Sequence, residues 1–191
     1  MCYNPGDMTK NTFFFRWLAV AAVITVIFGT IYAAVQQEIR QGANDLQVQL
    51  GEDMAVLLAT GVAPQALLQT AIPVDFKASL SPFAMIFDKS GKLIASSGTV
   101  GTTTPLPPAG VFDYARTHAD DRLTWQPEPG VRVAAFVKYF NASSTGYVLL
   151  GKNLRETEKK ESQTATLAFI GWIVSIVISG GLGWMMSRKA Q

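Results

Sequence analysis

"SPFAMIFDKSGKLIASSG", Ser81 to Gly98, reads as two short strands joined by a tight turn. "FAMIF" and "KLIAS" are rich in the apolar and β-branched residues that fit a pleated, half-buried surface. Between them, Asp88 suits the start of a turn and Gly91 can take the positive φ that a short hairpin loop needs. Further strands accompany this hairpin.

Those strands follow downstream. "GTVGTTTPLPP" is an exposed Gly, Thr and Pro loop, and it leads into "PPAGVFDYARTH", a helix with Val111, Phe112 and Ala115 on one face. A meander comes next: "DRLTWQP", a "PEPG" turn, "VRVAAFVKYF", a polar "NASSTG" turn and "YVLLG". The last two strands are apolar almost throughout, which suits a sheet covered on both faces. Upstream, "APQALLQTA" is a short helix with Pro64 in its first turn, ended by Pro73.

Two apolar runs bracket this region. "WLAVAAVITVIFGTIYAAV" (Trp17 to Val35) and "ATLAFIGWIVSIVISGGLGWMM" (Ala165 to Met186) contain no charge. At 1.5 Å per residue they make helices of about 28 and 33 Å, which matches a hydrocarbon core of about 30 Å. Buried core helices are the bland alternative. For the first run a signal peptide also competes, but the run exceeds the usual h-region and no clear A-x-A site follows it.

Lys10 and Arg16 precede the first run, and Arg188 and Lys189 follow the second. By the positive-inside rule both termini are expected in the cytoplasm and residues 36 to 164 outside it, at an inner (plasma) membrane crossed twice. Trp17 and Trp184 then fall at the cytoplasmic interface and Tyr32 near the outer one. The outer stretch holds 12 basic and 13 acidic side chains, so the net +2 of the chain comes from the membrane flanks. Nothing there is basic enough to follow a phosphate backbone, and no nucleic acid is expected as a partner.

The expected organisation is a tail over 1–16, a first span over 17–35, a helical stalk over 36–61, a domain over 62–152, a second stalk over 153–164, a second span over 165–186 and a tail over 187–191. In the first stalk Ile39, Ala43, Leu46, Leu50, Met54 and Leu57 form a helical stripe that also fits a short coiled-coil seam. Asn153 can cap the second stalk, "LRETEKKESQTAT", which continues without Pro or Gly into the second span. Its charges read as a solvated face with i, i+4 pairing.

A helix from the membrane, a short helix, two strands, a loop with a helix, three strands and a helix back to the membrane: this order resembles the extracytoplasmic PAS-like (Cache or PDC) sensor domains of bacterial histidine kinases and chemoreceptors. The similarity is carried by "FAMIFDKSGKLIASSG", "WQPEPGVRVAAFVKYF" and "GYVLLGKNLRETEKK". The resemblance implies an α+β fold in which a five-stranded antiparallel sheet has the hairpin at its centre. It also implies a pocket between the sheet and residues 98 to 118. Such proteins continue into a signalling module after the second span, whereas only "SRKAQ" follows here, so the expectation is a sensor without a cytoplasmic output domain.

Catalysis is not expected. His118 is the only histidine and sits at the end of a helix, where the helix dipole accounts for it, and Asp120 and Asp121 read as solvated residues of the next turn. No phosphate loop, metal-spaced cluster or nucleophile elbow stands out, so neither a cofactor nor a metal is expected. Cys2 could be reversibly acylated or be incidental, and Asn141-Ala142-Ser143 is a sequon only if the source glycosylates.

Candidate ligand contacts are Trp125, Arg132, Lys138, Tyr139 and Tyr147, an aromatic and cationic mix suited to a small carboxylate. By alternation Arg132, Ala134, Phe136 and Lys138 share one face and Tyr139 the other, so the five cannot all line one pocket. The opposing reading makes Trp125 and Tyr147 core aromatics and the two cations rim charges. In the spans, Ala21, Thr25, Gly29 and Ala33, and likewise Gly171, Ser175, Ser179 and Gly183, form ridges of small residues suited to close helix packing. The expected function is therefore a membrane-anchored sensory or ligand-binding module that signals through a membrane partner or a second copy, or else an accessory subunit of a larger membrane complex.

Overall fold

A computed structural model describes residues 5–42, 45–69 and 71–189. Cys2, Ala43 and the extreme ends of both tails lie outside the described residues. In chain order the elements are α1 (Pro5–Gly42), α2 (Asp45–Ala59), α3 (Pro64–Leu68), β1 (Val74–Asp75), β2 (Phe83–Asp88), β3 (Leu93–Ser96), β4 (Gly98–Thr99), α4 (Gly110–His118), β5 (Asp120–Glu128), β6 (Val131–Asn141), β7 (Thr145–Asn153) and α5 (Arg155–Lys189). They form two compact units, residues 39–159 and the helical pair of residues 1–38 and 160–191.

The first unit is built on a five-stranded sheet of order β3-β2-β7-β6-β5, antiparallel throughout. The β2–β3 turn is the one its residues predict. Asp88 Oδ1 accepts from the Ser90 and Lys92 backbone N–H groups at 2.8 and 3.0 Å, and Gly91 has φ +80°. A side chain at Gly91 would also meet the Phe112 ring, 3.0 Å from its Cβ position, so the turn and the packing beneath it both require glycine.

The hairpin does not occupy the centre of the sheet. β7 does, flanked by β2 and β6, while β3 is an edge. The reason is visible in burial: β7 is enclosed from Gly146 to Gly151, whereas β3 is only four residues long and leaves Ile94 39% exposed. A short edge strand keeps a row of unpaired backbone groups small. The exposed loop also contains more order than its composition suggests, because Gly98 and Thr99 pair in parallel with Val74 and Asp75.

Both faces of the sheet are covered. On one, Phe83, Met85, Phe87, Val133, Ala135, Val137, Tyr147 and Leu149 pack with Phe76, Val100 and the Val111, Phe112 and Ala115 face of α4. On the other, Ala84, Ile86, Phe140, Val148 and Leu150 pack with Ala55 and Leu58 of α2 and the flank of α3. Each fully buried Phe or Leu contributes about 1.5–3 kcal/mol by leaving water, so these clusters are the main source of stability.

The segment expected as a stalk thus includes a helix that lies on the sheet. Its buried face is Gln47, Gly51, Ala55 and Leu58, offset by one position from the anticipated stripe, of which Leu46 and Leu57 remain 44% and 43% exposed. Close approach explains the offset. A Cβ at Gly51 would lie 2.6 Å from Phe136 Cδ1, so only a residue without a side chain lets the helix sit down on that ring.

Candidate functional site

In the helical pair, large side chains of each helix meet small residues of the other. A Cβ on Gly171 would stand 3.0 Å from the Phe28 ring, and Trp17 lies similarly close to Gly180. Two indole N–H groups donate across the pair, Trp17 to Ser179 Oγ at 3.3 Å and Trp172 to Thr25 Oγ1 at 2.9 Å. Gly171, Ser175, Ser179 and Gly183 are all half-buried. Of the α1 ridge, Ala21 is half-buried and Thr25 is bonded, whereas Gly29 and Ala33 are exposed and nothing approaches Gly29 within 4 Å. The α5 ridge therefore meets large side chains of α1, while the α1 ridge takes part at Ala21 and Thr25 and not at Gly29 and Ala33. Arg188 stacks on Trp184 with its Cζ 3.9 Å from the ring centre. Both helices are long and apolar enough to cross a membrane.

The five candidate ligand residues do not converge. Trp125 pairs with Val133 and Tyr139 with Tyr147, so along β6 the two sites are six residues, about 20 Å, apart. Trp125 is 7% exposed and packs with Phe76, ring centres 6.1 Å apart. Tyr147 is 2% exposed, 5.0 Å from Phe112 and 5.4 Å from Tyr139. The interval expected to hold a pocket between the sheet and α4 is occupied at this point by Phe112, whose ring is also 4.8 Å from Phe87.

Arg132 and Lys138 lie on the opposite face, as alternation requires. Lys138 reaches Asp120 at 3.3 Å and Glu52 of α2 at 3.9 Å. Asp120 thereby proves to be the first residue of β5 with a cationic partner, and the pair Asp120-Asp121 belongs to a strand where a turn was anticipated. His118 stacks on Tyr114 with ring centres 4.1 Å apart, and its Nδ1 is 2.8 Å from Thr117 Oγ1, a local arrangement at the exposed end of α4. Asn141 is exposed and its Oδ1 accepts from Thr145. Among the described residues no group of three or more His, Cys, Asp or Glu is placed to hold a metal ion.

What the fold does concentrate is the junction where the sheet becomes a helix. The central strand ends at Asn153, and only Leu154 separates it from α5. Asn153 is 5% exposed and uses both ends of its amide: Oδ1 accepts from Arg155 N–H at 2.7 Å, capping α5, and Nδ2 donates to the Phe76 carbonyl at 2.6 Å. Leu154 N–H donates to the Arg132 carbonyl at 2.8 Å, and the Arg132 guanidinium pairs with Glu158 one turn into α5. Arg155 in turn donates to the Ala78 carbonyl at 3.2 Å. Four segments therefore meet here: β6, β7, the 76–78 loop and α5.

The sequence marked Asn153 as a cap and offered Arg132 as either a ligand contact or a rim charge, but it passed over Phe76. A solitary Phe within the polar "VDFKAS" is the signal that could have found the loop's anchor, since that ring is fully buried and stacks on Phe83 at 4.3 Å. Asn153, Arg132, Glu158 and Phe76 thus join the end of the sheet to the start of α5. No protein-family model matches the chain, and no curated protein matches it.

Proposed function

We propose that the protein is a two-pass membrane protein whose PAS-like, extracytoplasmic α+β domain is a sensory module, acting on a membrane partner through α5. One observation carries this reading: the central strand of the sheet continues through a single residue into the long apolar helix, and Asn153 and Arg132 fasten that joint from two sides. A change in β6 or β7 therefore reaches α5 directly. The order of elements, with a hairpin, a loop and helix, and three strands between two apolar helices, supports the PAS-like assignment. The basic residues Lys10, Arg16, Arg188 and Lys189 at the outer ends of the apolar runs support cytoplasmic termini in a plasma membrane.

A second reading is favoured by the packing beneath α4. Phe112, Phe87 and Tyr147 fill the space where a solute would sit, which suits an accessory subunit that binds another protein rather than a metabolite. The two are separated by screening the full chain in lipid nanodiscs against organic acids and amino acids by thermal shift. A rise in melting temperature at micromolar solute supports sensing. A flat screen with stoichiometric co-purification of one membrane partner supports the accessory role and ends the solute-sensing one.

A further inference from the structure

The second helix is held to the sheet unevenly. At its C-terminal end Leu58 is fully buried, its carbonyl accepts from Ser144 Oγ at 2.7 Å, and the Ala59 carbonyl accepts from Ser143 N–H at 3.2 Å. Ala55, one turn earlier, is 6% exposed within the apolar cluster. This end is fixed by both packing and hydrogen bonds.

The N-terminal end is different. Gln47 is 0% exposed, yet among the described residues neither its Nε2 nor its Oε1 has a hydrogen-bond partner. A buried amide without partners forfeits what it would gain from water, so its burial opposes docking rather than driving it. Leu46 beside it is 44% exposed and contributes little. Gly51, between the two ends, brings no side chain to the interface and is the weakest helix former in the segment. The ionic tie over this stretch is shared: Lys138 lies nearer to Asp120 of β5 than to Glu52 of α2, at 3.3 against 3.9 Å.

We infer that α2 is a hinged strap, anchored at residues 55–59 and able to lift from the sheet between Asp45 and Gly51. Lifting returns the Gln47 amide to water, leaves Lys138 paired with Asp120 and uncovers the β6 surface around Ala134 and Phe136. Such local opening sits at the low end of the stability range within one domain. The device goes beyond the sensory reading and stands whichever role that test assigns, because it depends only on how α2 meets the sheet.

Thiol labelling of the full chain in nanodiscs tests it, in a Cys2→Ser background. Ala134→Cys reports the end near Gln47, on the same face as Phe136 but further from the β6–β7 turn; Val148→Cys reports the anchored end. Both positions are buried, at 3% and 0% exposure. Alkylation by a charged maleimide is expected to be at least fivefold faster at Ala134→Cys than at Val148→Cys, and Gln47→Leu is expected to slow labelling of Ala134→Cys at least fivefold. A ratio below fivefold, or a rate indifferent to Gln47→Leu, overturns the strap. Should a reporter variant fail to fold, Gln47→Leu in the otherwise unaltered chain decides: its melting temperature is expected to rise by several degrees, and no rise overturns the inference.

Discussion

Replacing Asn153 separates the two jobs of one side chain. In Asn153→Ala the cap on Arg155 N–H is lost, which costs about 1 kcal/mol, and the Phe76 carbonyl loses its donor in a site only 5% exposed, which costs about 1–3 kcal/mol. The expected sum is about 2–4 kcal/mol. At about 4 °C per kcal/mol for a unit of this size, the melting temperature falls by roughly 8–16 °C. Asn153→Asp keeps an acceptor for the cap but has no N–H to give to Phe76, and it buries a charge facing a carbonyl; it is expected to be at least as damaging as alanine. Asn153→Ser restores the cap alone and should recover about 1 kcal/mol of the alanine loss. Differential scanning fluorimetry on the full chain in nanodiscs reads all three. An alanine variant within about 2 °C of wild type, or an aspartate variant as stable as asparagine, would refute the junction as described.

Gly51→Ala gains about 1 kcal/mol of helix propensity but drives a methyl against the buried Phe136 ring, and overpacking of about 1–3 kcal/mol wins, so stability falls in chemical denaturation. Gly110→Ala, with nothing within 4 Å, is the control and should not lose stability. Ala119 holds φ +73° at the end of α4, a strain that glycine relieves; Ala119→Gly is expected to raise the melting temperature by about 2–4 °C, equivalent to about 0.5–1 kcal/mol. The Ser90 hydroxyl and the Lys92 N–H hold the Asp88 carboxyl below the usual carboxylate range, so its contribution is complete above that range and lost as pH falls through the lowered value. The melting temperature of wild type should exceed that of Asp88→Ala at neutral pH, with the gap closing in acid. In the helical pair, Thr25→Val removes the acceptor of Trp172 and should cost about 0.6–2 kcal/mol in detergent-driven unfolding.

Local features were legible where one residue decides them. Asp88 and Gly91 define their turn, Asn153 its cap, Pro64 the start of α3, and Val111, Phe112 and Ala115 the inner face of α4. What resisted reading depends on partners distant in sequence. The stripe through Leu46, Leu50 and Leu57 has the right period, yet Gly51 sets the contact face because proximity to Phe136 outweighs hydrophobicity there. Alternation correctly set Arg132 and Lys138 against Tyr139, but the partners that explain the two cations, Glu158 and Asp120, lie on other elements. Hairpin chemistry likewise pairs strands that are neighbours in sequence; it is silent on which strand from the far end of the domain takes the free edge of β2.

That late entry governs how the domain must assemble. β2 with β3, and β5 with β6, can each zip up locally as the chain emerges, but the two ribbons share no edge until β7 slots between them, pairing Phe83 with Gly151 on one side and Val133 with Asn153 on the other. Closure therefore waits for the last strand, with contacts of long sequence separation that fold slowly. Until then the inner edges of β2 and β6, among the most apolar strands in the chain, are open to mispairing. The chain is most exposed to aggregation until β7 has docked between β2 and β6.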